Sequence, residues 1–505
     1  MLASSVKESA LKESLGGRYK TLGTLLLLTV GALLVQGYHP CAEDAEIYIP
    51  GVEKILHPRL FPAWSEYFLS HAHLTFFPNL IAFSVRLTHV RLEVGLLLWQ
   101  AASIFLLLLA CWELSSLLFS TPRARWSGVC LVAALLTIPV AGTALYIMDQ
   151  YLNPRNLAAF AAVFAVVRTM KKKYAGAFLW LVFAALMHPL MWVFPFSFCI
   201  LLFVMDQFEG WSKKTSAAGL ALLVFPAIPI APPPSNAYQE VAKLHSYFYI
   251  QNWAWYELLG IVAPLALFWW FARWARKQRR AALERISRAF VVYGLVFLVI
   301  ALVVDLPARF EVLARLQPLR CLHLLYIVLF VVMGGIAGEY VLRDRVWRWL
   351  LLFVPLGAGM FLAQRALSPA SAHIEWPGSQ PRNPWAQAFI WIRENTPTNA
   401  GFALDPEYMN IAGEDELGFR CLAERSHLAD WVKDNGVVSM FPALADEWWA
   451  QVRAQTPWKN FQLGDMLRLK HQYGVSWVVL QQPGIPGLEC AFQNAAVRVC
   501  RIPDE

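Results

Sequence analysis

Apolar runs of roughly 17 to 25 residues, long enough to cross a bilayer as a helix, recur through residues 21–361. No other feature constrains the chain as strongly. Backbone inside lipid has no water to bond and must satisfy its own polar groups, which a single segment does only as helix. The 505 residues are 58% hydrophobic and 15% charged, so the bilayer is the main solvent. Spans are expected near 21–38, 94–119, 127–147, 156–168, 174–190, 191–206, 216–231, 256–272, 289–305, 321–340 and 346–363, about 11 in all. Residues 366–505 are polar and rich in turn formers. The expected fold is an α-helical polytopic membrane domain, residues 1–365, followed by a C-terminal extracytoplasmic α/β domain, residues 366–505.

The net charge of +8 is unevenly divided. Residues 366–505 hold 11 basic against 16 acidic side chains, leaving 32 against 19 in residues 1–365. That excess lies between the apolar runs. Its largest block, residues 273–288, reads as a loop against anionic membrane lipid, and no nucleic-acid-binding motif is present. Walker loop, dinucleotide fingerprint and Cys-x-x-Cys are also missing. No small-x-small cleavage site precedes Cys41, so the first run is expected to stay as a span.

Sidedness follows from the basic clusters. Segment 74–86 is apolar but short and broken by Pro78, Asn79 and Arg86. If it does not cross, Arg123/Arg125, residues 168–173, Lys213/Lys214, residues 273–288 and residues 343–348 all fall on the N-terminal side, as the positive-inside bias requires. Residues 39–92 then form a long outer loop with a pair of interfacial or re-entrant helices, and the N-terminus is cytoplasmic.

This arrangement gathers the unusual polar residues on one face. Glu43, Asp44 and Glu46 directly follow the first span. Asp44 is placed to N-cap a helix beginning at Ala45, and partial desolvation at a cavity rim would raise its proton affinity, suiting it to take a proton from a hydroxyl. In Asp149-Gln-Tyr-Leu-Asn-Pro-Arg155, Asn153 and Pro154 read as N-cap and first helical position, which leaves Asp149 and Arg155 unassigned. Asp149 facing Asp44 could share a divalent cation, magnesium or manganese, through oxygen ligands, although no motif spacing demands one. Arg309, Arg315 and Arg320 break the charge rule. Arg320 and His323, three apart at a helix start, would share a face suited to a phosphate. His188 and His245 sit at turns on the same side.

Cys111, Cys130, Cys199 and Cys321 read as small apolar residues in or beside spans. A Cys490–Cys500 disulfide would tie the final helix to the last strand and leave Cys421 over. Helices are expected at 384–396, 443–455 and 463–473, the last ended by Gly474, with strands at 401–404, 475–480 and 496–502. Trp448-Trp449 reads as packing.

The motifs Glu43-Asp44-Ala-Glu46-Ile-Tyr48, Asp149 to Arg155, His188-Pro189, Gln317-Pro-Leu-Arg320, Trp391-Ile-Arg-Glu-Asn-Thr-Pro397 and Tyr473-Gly-Val-Ser-Trp477 occur in this order. The chain thereby resembles bacterial polytopic membrane proteins of the GT-C glycosyltransferase superfamily, including branches named only as domains of unknown function. The resemblance spans the whole chain and rests on order and sidedness. It implies a GT-C-like bundle in the bacterial inner membrane that transfers sugar from a polyprenyl-phosphate-linked donor to an acceptor glycan, lipid or protein. It implies Asp44 as general base with Glu43 or Glu46 beside it, and Asp149 as the acid of the second outer loop. Arg320 and Arg309 would hold the donor phosphate, with Arg155 and His323 nearby and Tyr48, His188 and His245 in the cavity. Two rival readings are a transporter or flippase and a GT-C-like scaffold without catalysis. Transport would call for polar residues near mid-membrane, whereas these spans are almost uncharged in their middles.

Overall fold

The computed structural model describes residues 2–207, 235–305 and 315–504. Seven described helices are long and apolar enough to cross a membrane: Gly16–Gln36, Leu92–Leu118, Pro189–Gln207, Trp255–Lys277, Ala281–Val304, Pro318–Leu342 and Val346–Leu367. By length and composition of these helices, this is a multi-pass membrane protein. Tyr174–Met187 is apolar but shorter, and the span expected at 216–231 lies outside the described residues. Pro154–Met170 runs through the bundle, buried along nearly its whole length. Its alanines, Ala158, Ala159, Ala161, Ala162 and Ala165, let Leu92–Leu118, Tyr174–Met187 and Pro189–Gln207 approach closely. Asn153 starts this helix as expected. Its side-chain oxygen accepts from Asn156 N at 3.1 Å, and Pro154 takes the first position, where no N–H is needed.

Two expectations need correction. The helix beginning at Pro122 ends at Ala134 rather than near 147. Residues 135–153 instead run as turns with a short bridge between Pro139 and Tyr146. Pro139 cannot continue a helix, and Gly142 lies so near the Trp253 ring that a Cβ would sit 2.6 Å from it. Irregular backbone is tolerated at membrane depth where it lines a cavity, and this segment does so. Within 39–92 there are three short helices rather than two, Ala45–Leu56, Glu66–Leu74 and Phe77–Thr88. The last has 12 residues and is too short to cross.

The described basic clusters collect at one end of the bundle, and Lys213/Lys214 lie outside the described residues. Arg168 and Lys171 each pair with Glu113 at 2.9 Å, Arg280 pairs with Glu339 at 2.6 Å, Arg123 with Asp344 and Arg285 with Asp206. The opposite ends of the same helices carry Arg155 and Arg320 and meet the C-terminal unit.

That unit contains β1 Gly401–Ala403, β2 Ser426–His427, β3 Trp477–Gln481, β4 Glu489–Gln493 and β5 Val497–Arg501. They form one sheet in the order β2-β1-β3-β5-β4, with β1 parallel to β2 and β3 and with β3, β5 and β4 antiparallel. Helices Pro384–Asn395, Ala445–Ala454 and Leu463–Tyr473 fall where expected, and Gly474 closes the last at φ +74°. Strands β2 and β4 are additions to the expected pattern. Cys490 lies on β4, so its disulfide with Cys500 joins neighbouring strands, not a helix to a strand. Cys421 is not left over, because it pairs with Cys41, 380 residues earlier.

The Cys41–Cys421 disulfide fastens the C-terminal unit to the first loop. Beside it, Glu43 N donates to Glu416 O at 2.8 Å and Gly418 N donates to Cys41 O at 2.7 Å. A buried ionic network lies beneath. Glu46 accepts from the backbone N–H groups of Arg420 and Cys421 at 3.0 and 3.1 Å and from the Arg420 guanidinium at 3.4 Å. Arg420 also forks onto Asp434 at 2.9 and 2.8 Å. Gly418 fits here because it has no side chain: a Cβ would lie 2.5 Å from Glu46 Oε2. Gly418→Ala should therefore cost about 1–3 kcal/mol, read as a lowered unfolding temperature in detergent micelles. An unchanged midpoint would mean that the interface yields freely.

Candidate active site

A cavity of about 500 Å³ opens where the bundle meets the C-terminal unit, within the range of about 300–1,000 Å³ usual for small-molecule sites. The first loop lines it with Glu43, Asp44 and Ile47, the irregular segment with Tyr146, Asp149 and Tyr151, and the following helix with Arg155. His245, Tyr247 and Arg320 complete the bundle side, while Asn410, residues 431–433, Asn435 and Gly436 close it from the C-terminal unit.

Asp44 precedes the helix Ala45–Leu56 as expected, but its side chain makes no capping bond. It turns instead to Arg155, whose Nη1 donates to Asp44 Oδ2 at 3.0 Å while Nη2 donates to Asp149 Oδ2 at 3.1 Å. Asn153 Nδ2 donates to the same Asp149 oxygen at 2.6 Å, so one side chain both caps the helix and orients the acid. Lys433 bonds Glu43 and lies 3.6 Å from Asp44 Oδ1. Glu43 adopts a left-handed backbone (φ +55°), uncommon for a residue with a Cβ, and its N–H bond to Glu416 holds it there.

These charges reverse the expected tuning. Burial pushes the Asp44 carboxyl up, but Arg155 and Lys433 outweigh burial and hold it below the ordinary carboxylate range. Asp44 is thus an ion-paired carboxylate at neutral pH. Of the three acids after the first span, the one that burial raises is Glu46, to about 7 against the pull of Arg420, and Glu46 is not among the residues lining the cavity.

Arg320 differs from the other cations. Its guanidinium has no ion pair or hydrogen bond among the described residues, and its Nε is buried without a partner. A half-buried cation without a paired counter-charge is costly, so a cavity that keeps one is suited to an anion. Arg320 also borders an apolar recess walled by Phe248, Trp253 and Leu319.

Several candidates do not reach the cavity. Glu46 is committed to Arg420 and to the His427 ring at 3.1 Å. His323 bonds Ile147 O at 3.0 Å. That bond commits its ring to the irregular segment, and it is not among the residues lining the cavity, so it does not join Arg320 there. Tyr48 packs against His71 and Phe77, and His188 Nδ1 accepts from Met191 N at 3.4 Å. His245 does line the cavity. Its ring bonds Asn435 O at 3.3 Å and stacks on Phe248, and burial lowers it to about 4, leaving it neutral. Arg315 bonds Met440 O, and Arg309 lies outside the described residues.

Asp44 and Asp149 do share a cation, but it is the Arg155 guanidinium. A magnesium or manganese ion bound to both would have to displace it, and two carboxylates already paired with organic cations do not make the donor set of such an ion. Among the described residues, no group of three or more His, Cys, Asp and Glu is placed to hold a metal.

The C-terminal contributors Asn410, Trp431, Lys433 and Asn435 are not marked in the sequence, nor are Tyr146, Tyr151 and Tyr247. A single lysine in a polar stretch ordinarily means solvent. The one local signal is Asp430, a turn former whose Oδ1 accepts from Val432 N at 2.7 Å and Lys433 N at 2.5 Å and so presents the lysine.

No family model and no curated protein matches the chain. Among solved structures, a crystal structure of the Archaeoglobus fulgidus oligosaccharyltransferase tethered with an acceptor peptide is similar, at 12% identity over 92% of this chain and 69% of that one, with a TM-score of 0.46. That likeness is distant.

Proposed function

We propose that this chain is an integral membrane glycosyltransferase of the GT-C kind, moving a sugar from a polyprenyl-phosphate donor to an acceptor hydroxyl at the extracytoplasmic face of the membrane. The observation that carries the proposal is Arg320, a half-buried cation with no ion pair among the described residues, sharing one cavity with the clamped carboxylate of Asp44. The acceptor oxygen attacks the anomeric carbon, the bond from that carbon to the phosphate oxygen breaks, and the phosphate departs with the electron pair toward Arg320. Attack opposite the leaving group inverts the anomeric centre.

The transition state of such a transfer has oxocarbenium character. The acceptor proton therefore becomes strongly acidic only as its oxygen bonds to carbon, and a weakly basic carboxylate suffices to take it. This reconciles a base role for Asp44 with its low proton affinity. Arg155, held by Asp149, and Lys433, held by the Asp430 turn, fix the direction of that carboxylate. The described basic clusters at the far end of the bundle, around Arg123, Arg168 and Arg280, support the sidedness.

Binding of a polyprenyl phosphate to the protein in nanodiscs tests the reading. Arg320→Ala should weaken it about 10- to 100-fold, the loss of a charge-assisted bond; unchanged affinity would contradict the proposal. A pH profile adds a second check. A carboxylate whose proton affinity is depressed stays ionised below the ordinary range and is lost only as pH falls through its lowered value. Lys433→Met removes one depressing charge, so the acid limb of kcat/KM should move to higher pH. A limb that stays in place would mean that Lys433 does not act on Asp44.

A further inference from the structure

We propose that the side of this cavity formed by the C-terminal unit is an acceptor subsite for a neutral carbohydrate; this rests on the transfer reading above. Three observations converge on it. The first is a fixed aromatic surface. Trp431 lines the cavity half-buried, its backbone N–H donates to Pro406 O at 2.7 Å, and its ring sits 5.4 Å from Trp448 and 6.0 Å from Trp449. Trp448 is itself buried and anchored by its Nε1–H bond to Asp430 O at 2.9 Å. An indole face held this way offers the flat apolar platform on which the C–H face of a sugar ring rests.

The second is charge. Among the described residues, every charged side chain in the cavity except Arg320 has a partner, and His245 is neutral: Glu43 pairs with Lys433, and Asp44 and Asp149 with Arg155. Arg320 belongs to the donor phosphate, so among the described residues no charge remains to recognise an anionic or cationic acceptor. Neutral hydrogen-bonding groups do remain. The side chains of Asn410 and Tyr146 line the cavity and make no hydrogen bond among the described residues. Sugar hydroxyls, which donate and accept, match such groups.

The third is the backbone. A peptide acceptor is commonly held by main-chain bonds to an extended edge. Here the wall is a closed turn whose N–H groups are already used: Val432 and Lys433 donate to Asp430 Oδ1, and Gly436 N donates to Lys433 O at 3.0 Å. Lys433 lies two residues from Trp431 and reaches Asp44, so a sugar resting on the indole brings a hydroxyl toward the base.

Equilibrium dialysis of the full-length protein in nanodiscs tests this, using neutral maltotriose, cellotriose and mannotriose beside an acidic trigalacturonate and a serine-rich nonapeptide. At least one neutral trisaccharide should bind saturably. Trp431→Ala and Asn410→Ala should each weaken it about tenfold, whereas Arg320→Ala should not. Asn410 is exposed, so its replacement leaves the fold intact. Preference for trigalacturonate or the peptide, no saturable neutral sugar, or affinity unmoved in both variants would overturn the inference. Polyprenyl phosphate binding in Trp431→Ala is the control. If that binding persists and still depends on Arg320, a failed carbohydrate arm removes the acceptor subsite and leaves the donor reading standing.

Discussion

Asp44→Asn is expected to slow sugar transfer by about 10²- to 10⁴-fold, the usual contribution of a positioned general base, while the donor still binds. The amide keeps the size of the carboxylate and still accepts a bond from Arg155, so the cavity wall is preserved. It can neither accept the acceptor's proton nor offset positive charge at the anomeric carbon. Removing one negative charge beside Arg155 and Lys433 also leaves the cavity more positive, so an anionic donor should bind as well or more tightly. A fall in kcat with KM level or lower therefore marks a group acting on the reacting atoms. A rise in KM with kcat intact would instead assign Asp44 to donor binding, and undiminished turnover would remove it from the chemistry.

Arg155→Met should cost about 3–5 kcal/mol of stability, because breaking a buried ion pair strands the remaining charge. Here it strands two, since Asp44 and Asp149 share the single guanidinium, and Asp149 is only 6% exposed. The double variant Arg155→Met, Asp149→Asn should recover much of that loss, because it removes the more deeply buried of the two carboxylates. Thermal unfolding in detergent micelles measures both. A loss below about 1 kcal/mol in the single variant would place Arg155 among exposed, energetically minor pairs.

The sequence carries much of the scaffold and only part of the site. Local chemistry was legible where a residue acts on its own neighbours: Asn153 and Pro154 start a helix, Gly474 ends one, and segment 74–86 is too short and interrupted to cross. Apolar composition misled at 135–147, because chain buried against protein around a cavity is as greasy as chain in lipid and need not be helical. Long-range pairing left no trace in spacing. Nothing local ties Cys41 to Cys421, or distinguishes Glu46, committed to a buried arginine, from Asp44, two residues earlier and facing the cavity. Lys433 was illegible for the same reason, since its meaning depends on the C-terminal unit docking over the first loop.

Single-turnover incubation of the purified protein with a panel of polyprenyl-phosphate sugars, labelled on the sugar, addresses sugar transfer most directly. At least one donor should release polyprenyl phosphate as its label passes to an acceptor, and that release should be lost in both Asp44→Asn and Arg320→Ala. Release at the wild-type rate in either variant, or failure of every donor to bind, would contradict sugar transfer in this cavity.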